Sequence, residues 1–530
     1  MKALNERSEQ VLQRLRALRA LDAPTHGGHV LSYVYDSGIS ELDELAAEAI
    51  RMMQPVNGLD PTTFPSVAVM ERDVVAFARR MLHGDSSAAS ADSAGSAGSA
   101  GSGSMDGDNV VVGTVTSGGT ESCLLAVKTA RDAWRAAGGV GVPRLVAPVT
   151  VHAAFHKAAH YFGLELDLVP VDENGVVDAN ALILRFALDV ALVVVSAPAY
   201  PHATIDPIAE VAAAASAARI ACHVDACIGG WVLPWWQGSL PPWDFAVPGV
   251  TSMSADLHKF GYAPKGVSVL LHRGRDRQRH QHFATKRWPG YPVVNSTMLG
   301  SKSAAALAAG WAIVQRLGAD GFASLAASCQ RSTDALVHAI SSVEGLRVVG
   351  TPTGLLFAVA ADETVPRDRR VDPHQWADRV RQHGWLLQQQ PGLMQSNGLR
   401  LPHTTHLTIT PVTESVLGAL TDALLRSADE VRGVPSVDAE LVLQLLPPLA
   451  DDSGPLTSAE AFEVLGRLGI DSTGSSSSVA VTAGDAASAA AAAVLPRQMA
   501  PLLALIEALP APFAERLLIE LMARMVEPAP

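Results

Sequence analysis

Lys259 stands in the stretch Ser254-Ala255-Asp256-Leu257-His258-Lys259-Phe260-Gly261, next to an apolar run and not in a charged surface helix. A lysine in desolvated surroundings has a depressed pKa and can form a Schiff base with a carbonyl. Asp225 closes the apolar run Ile220-Ala221-Cys222-His223-Val224. A carboxylate at the end of a buried strand is costly unless it is paired, and a protonated ring nitrogen would pair it. Ser117-Gly118-Gly119-Thr120-Glu121-Ser122 joins an expected strand to an expected helix. Two glycines let the backbone approach a ligand there, and the helix N-terminus offers N–H groups to an anion. His152 follows the run Val146 to Val151, where an imidazole could stack on a flat ring. Taken singly, each has a blander reading: a solvated lysine, a strand-end cap, a structural turn and a satisfied core histidine.

Alternating apolar runs and helical patterns must position these residues. Strands are expected at Val110 to Val115, Arg144 to Thr150, Ala191 to Ser196, Ile220 to Val224, Thr251 to Ser254 and Val267 to Leu271. Helices are expected at Glu121 to Ala137, His156 to Phe162 and Ile208 to Ala218. Such alternation predicts an α/β fold with a mostly parallel sheet covered on both faces. Amphipathic helices are expected around Val11 to Leu18, from Ser40 to Met53 and from Val67 to Leu82. After an Ala-rich helix at Ser303 to Leu317 the pattern becomes that of a smaller α+β domain. Its strands are expected near Leu346 to Val349, Gly354 to Val359 and His406 to Thr410, and its helix at Glu414 to Leu425. The expected division is an N-terminal helical segment (1–66), a large domain (67–300), a small α+β domain (301–432) and a helical extension (433–530). Residues 86–108 are almost wholly Ser, Ala and Gly and read as a flexible insertion. Ser472 to Ser478 and Ala486 to Ala493 read as linkers, and Met499 to Met525 as an apolar helix pair with a joint at Leu509 to Pro512.

The chain has 530 residues, 48% hydrophobic and 18% charged, with a net charge of −13. The acidic balance argues against a nucleic-acid partner, which needs a basic face. Four cysteines (Cys123, Cys222, Cys227, Cys329) make no disulfide framework, and their spacing fits no zinc site, so no metal is expected and the thiols read as buried and reduced. Neither a signal peptide nor a membrane-spanning run is visible, and the expected location is cytoplasmic.

The order and spacing of the four stretches resemble the pyridoxal-5'-phosphate-dependent decarboxylase group, and within it the sphingosine-1-phosphate lyase family of soluble bacterial type. The matching stretches are Gly113 to Ser122, His152-Ala153-Ala154-Phe155, Ser196-Ala197-Pro198 with Pro201-His202 and Asp206-Pro207-Ile208, His223 to Gly230, and Ser254 to Gly266. They lie within a likeness spanning about residues 25 to 440. The resemblance implies fold type I of the pyridoxal-phosphate-dependent transferases, the aspartate-aminotransferase-like fold, with pyridoxal phosphate as cofactor. It implies that Lys259 holds the cofactor as a Schiff base, that Asp225 pairs with its ring nitrogen and that His152 stacks on its ring. Gly118, Gly119, Thr120, Ser254 and His258 would hold its phosphate. Gly300 and Ser301 resemble a turn that reaches the phosphate from a neighbouring subunit, which implies a homodimer with shared active sites. Tyr35 and Lys265 match positions that bind the substrate's phosphate.

Two positions depart from the family pattern. Asp60 stands where the family has a histidine that binds the substrate phosphate, and a carboxylate there repels what a protonated imidazole attracts. Lys302 stands where the family has arginine, which keeps the charge and loses the bidentate fork. Three functions follow. The first is a carbon–carbon lyase acting on a phosphorylated long-chain amine. The second is an amino-acid decarboxylase, to which Asp60 would suit a cationic substrate. The third is a non-catalytic scaffold using its C-terminal helices.

Overall fold

The computed structural model describes residues 2–85, 110–438, 457–467 and 498–526. The expected insertion at 86–108, and the linkers at 472–478 and 486–493, lie outside the described residues.

Seven strands form the large sheet: β1 (Val111–Thr116), β2 (Arg144–Pro148), β3 (Glu165–Val169), β4 (Val190–Ser196), β5 (Ala221–Asp225), β6 (Ser252–Ala255) and β7 (Ser268–Arg273). Their spatial order is β1-β7-β6-β5-β4-β2-β3, and only β7 runs against its neighbours. Because β7 is antiparallel to both β1 and β6, β1 points the same way as β4, β5 and β6. The C-terminal ends of these strands therefore share one edge, the usual place for a ligand in an open α/β sheet. Every residue of β4 is buried, as its unbroken Val-Ala-Leu-Val-Val-Val-Ser run requires. β3 was not anticipated; its Glu-Leu-Asp-Leu-Val sequence alternates because it is an edge strand, half covered.

Helices Gly119–Ala136, Ala153–Phe162 and Ile208–Ala218 fall where periodicity placed them, to within a few residues. The Ala-rich helix is longer than expected, Ala305–Ser341, and it breaks at Gly318, whose φ of +56° suits glycine. That break is the physical counterpart of the expected end at Leu317. Beyond it lies a four-stranded antiparallel sheet of Leu346–Val348, Leu356–Ala361, Thr404–Thr408 and Gln388–Gln390, in that spatial order. Helices Pro373–Gln382 and Thr413–Val431 pack on it around Trp376, Leu407 and Leu424. The expected C-terminal helix pair is Ala500–Ala508 and Ala511–Met525. Asp378 receives the backbone N–H groups of Met499 and Ala500, each at 3.0 Å, and so fixes the start of this pair on the small domain. Among the described residues no helix is long and apolar enough to cross a membrane.

Candidate active site

The shared edge of the sheet opens into a cavity of about 410 Å³ lined by Gly118, Gly119, Thr120, His152, Asp225, His258 and Lys259, with Cys123, Ser196, Tyr200, Cys227 and Asp256. The fold thus gathers seven of the sequence-predicted residues. The glycine turn does so by close approach. A Cβ on Gly119 would stand 2.4 Å from an Asp256 carboxylate oxygen, and one on Gly118 would stand 3.0 Å from the His258 ring. The helix that starts there has no side-chain N-cap, so its first N–H groups face a cavity wall that suits an anion.

Asp225 is buried, and its Oδ1 accepts a hydrogen bond from the Cys227 N–H at 3.0 Å. Burial alone would raise its pKa, but His152, that N–H and Lys259 override it and hold the carboxyl below its ordinary value. It is therefore an anion kept ready for a cationic partner. Burial lowers the pKa of His152, favouring the neutral ring. Its Nδ1 accepts from the Ala154 N–H at 3.2 Å, which caps the following helix and leaves the ring proton on Nε2.

Lys259 departs from expectation. Burial does pull its amine down, but Asp256, Cys227, Tyr35 and Asp225 outweigh this, and its pKa lies well above the ordinary value. The first of these is in direct contact: Asp256 Oδ2 is 3.1 Å from Nζ, and Asp256 itself is 1% exposed. The depressed pKa read from desolvation is thus reversed by a carboxylate three residues upstream. The other Asp256 oxygen, Oδ1, accepts from Ser268 at 2.5 Å. Asp256 was the chief residue that sequence reasoning left without a role; its signal was its place inside the Ser254–Lys259 stretch.

Ser254, expected at the cofactor phosphate, has its hydroxyl engaged elsewhere in the chain. It is fully buried, and its hydroxyl engages His223 Nε2 and Cys227 Sγ, each at 3.2 Å, and Asp225 at 3.4 Å. It therefore braces Asp225 from behind. Tyr200, also without an assigned role in the sequence reading, lines the cavity and donates to Gln388 at 2.7 Å, linking the site to the edge of the small sheet. Tyr35 packs edge-on against Phe260, and the Lys265 ammonium lies 4.3 Å above its ring. Lys265 Nζ also donates to the His258 carbonyl at 3.0 Å. Burial and the nearby charge of Lys259 pull Lys265 down to about 8.

Asp60, Gly300 and Ser301 are not brought to Lys259 within the chain. They line a second, mostly apolar cavity of about 1020 Å³ with Trp288, Tyr291, Leu299 and Lys302. The exposed Asp60 carboxylate accepts from the backbone and hydroxyl of Thr62 (2.9 and 2.5 Å) and from the Thr63 hydroxyl (2.6 Å). These bonds lower its pKa to about 2. The expected pocket of Tyr35, Asp60 and Lys265 is therefore divided, with the first and last together and Asp60 elsewhere.

The conserved domain of the pyridoxal-dependent decarboxylases matches residues 23–348. The chain belongs to that family. Within it, the chain is 33% identical over 408 residues to the sphingosine-1-phosphate lyase of Dictyostelium discoideum, covering 76% of this chain and 69% of that one. It is 32% identical over 433 residues to the sphingosine-1-phosphate lyase of Oryza sativa, covering 81% and 74%. The solved structure of a sphingosine-1-phosphate lyase of Burkholderia pseudomallei superposes with a TM-score of 0.71 at 32% identity, covering 80% of this chain and 91% of that one. This is the sphingosine-1-phosphate lyase branch of the family. A second family model, for a C-terminal domain of pyridoxal-dependent enzymes that carries a helix-turn-helix designation, matches residues 439–524 and so accounts for the extension. Members of this family take pyridoxal phosphate, and the cavity fits it: an uncapped helix N-terminus for the phosphate, a buried anion for the ring nitrogen and a lysine amine at the same edge of the sheet.

Proposed function

We propose that the protein is a pyridoxal-phosphate-dependent carbon–carbon lyase that cleaves the C2–C3 bond of a phosphorylated long-chain 2-amino-3-hydroxy base, giving a fatty aldehyde and phosphoethanolamine. The observation that carries this reading is Lys265, set over the Tyr35 ring and bonded to the carbonyl of His258 next to Lys259, in a chain about a third identical to lyases of that name. A cation held there suits a substrate phosphate better than it suits a plain amino acid.

Lys259 would hold the cofactor's aldehyde, Asp225 its ring nitrogen and His152 its ring face. Gly118, Gly119, Thr120 and His258 would hold its phosphate. Bound pyridoxal phosphate supplies the electron sink that makes cleavage next to the amine-bearing carbon accessible. Asp225 keeps a positive charge on the ring side of the cavity. Asp256 orients the Lys259 amine and stabilises its charged form. Asp256→Asn is therefore expected to lower the Lys259 pKa, because an anion beside an ammonium raises it. Cofactor uptake needs the neutral amine, so its rise with pH should move about 1–3 units toward acid in this variant. Stopped-flow absorbance of uptake against pH checks this.

Lys265 binds phosphate only as the ammonium, which is present below about pH 8 and lost above it. KM for the phosphorylated amine is expected to be flat below that pH and to rise above it. Lys265→Met should raise KM about 10- to 100-fold at neutral pH and abolish the alkaline rise.

A homodimer would bring Asp60, Gly300 and Ser301 of one subunit toward the Lys259 cavity of the other, which accounts for their lying apart within one chain. If Asp60 then faces the substrate phosphate, Asp60→His should lower KM about 2- to 5-fold near pH 6. An unchanged KM places Asp60 outside the pocket.

The 3-hydroxyl distinguishes a lyase from a decarboxylase. A phosphorylated long-chain amine without that hydroxyl should compete with substrate and remain uncleaved. Failure to compete would count against the lyase reading.

A further inference from the structure

Cys123 and Cys227 are far apart in the sequence, where the nearest cysteine to Cys227 is Cys222. The fold pairs it differently. Cys123 lies in the first turns of the helix Gly119–Ala136 and Cys227 just past the end of β5, and both thiols meet beside Asp225. The two sulfur atoms and one Asp225 oxygen lie within 4.8 Å of one another; all three residues are buried, and all three line the cofactor cavity. The expectation that no metal site exists rested on sequence spacing, which this juxtaposition bypasses.

We propose that, when the cofactor is absent, Cys123, Cys227 and Asp225 bind one thiophilic divalent cation of the zinc type, and that cation and cofactor exclude each other. A tetrahedral shell with metal–sulfur bonds of about 2.3 Å and metal–oxygen bonds of about 2.0 Å sets its ligand atoms about 3.5–3.8 Å apart. From separations of at most 4.8 Å the three atoms need to close by at most about 1.3 Å to reach it. Two thiolates and a carboxylate make a donor set that favours zinc or cadmium over magnesium or calcium. The open cavity leaves room for water in the fourth position. The thiols release their protons on ligation, and no electrons are exchanged. Exclusion follows because a cation on Asp225 neutralises the anion that the cofactor's ring nitrogen requires, and repels the proton on that nitrogen.

The test begins with holoenzyme stripped of cofactor by hydroxylamine and dialysis, then titrated with Cd²⁺ as the probe. One equivalent per chain should bind, with the ultraviolet charge-transfer band of a cadmium thiolate. Bound Cd²⁺ should block the return of the cofactor's absorbance until a chelator is added. Cys123→Ser and Cys227→Ser should lose the band, and Cys222→Ser should keep it. In the wild-type chain, Cd²⁺ should shield Cys123 and Cys227, and not Cys222, from alkylation read by mass spectrometry; this arm stands even if a variant misfolds. A band that persists in Cys123→Ser, alkylation of the two cysteines unchanged by Cd²⁺, or simultaneous binding of cation and cofactor would overturn the proposal. The band and the alkylation pattern are read without substrate or cofactor, so they fail or succeed apart from the lyase reading.

Discussion

Lys259→Ala should reduce turnover of any amine substrate by at least about 10³-fold, since among the described residues Lys259 is the lysine that lines the cavity and can form a covalent link to a carbonyl there. The fold should survive the change. Lys259 is held by Asp256 at 3.1 Å, and the loss leaves that buried carboxylate with Ser268 on its other oxygen. The variant should therefore still take up cofactor weakly, through the glycine turn and Asp225, while losing the absorbance of the lysine-linked form. The measurement is a paired one: single-turnover kinetics with excess enzyme, and an absorbance spectrum of the loaded variant. Residual turnover within tenfold of wild type would remove Lys259 from the centre of the mechanism.

Asp225→Asn is expected to give the second largest loss, about 10²-fold in kcat, with KM changed little. A carboxylate within hydrogen-bonding reach raises the pKa of a protonated ring nitrogen by about 1–3 units, and the amide does not. The substitution is nearly isosteric, and the Asp225 Oδ1 that accepts from the Cys227 N–H is replaced by an amide oxygen able to do the same. A fall in kcat with unchanged melting temperature would assign the residue to the chemistry. A fall in melting temperature with kcat preserved per folded molecule would assign it to the strand end.

The central site was legible because its residues sit at strand ends, where a short motif fixes both backbone path and side-chain direction. Asp225 follows a buried run, His152 caps a helix, and Gly118-Gly119 must be small where they pass His258 and Asp256. The partners of Ser254 were not legible, for the opposite reason. This serine is the penultimate residue of β6, and which neighbour its hydroxyl meets depends on register with β5, where it is paired with Asp225. Asp256 was passed over because its carboxylate folds back from the turn onto Lys259, a direction that three residues of spacing do not specify. Asp60 is a site residue by its place in a family motif; its immediate partners, Thr62 and Thr63, are local, and residues of the distant stretch 282–302 line the same cavity. The edge strand β3 and the meeting of Cys123 with Cys227 were hidden because both depend on packing between segments distant in sequence.

The most direct test of the lyase reading is product analysis of the cofactor-loaded protein mixed separately with sphingosine 1-phosphate and with a panel of amino acids. A long-chain aldehyde and phosphoethanolamine in equal amounts from the first, with the amino acids untouched, is the result expected from a Lys259 site flanked by Lys265 and Tyr35. Carbon dioxide and an amine from one amino acid, with the phosphorylated base intact, would contradict it and make the chain a decarboxylase on the same fold.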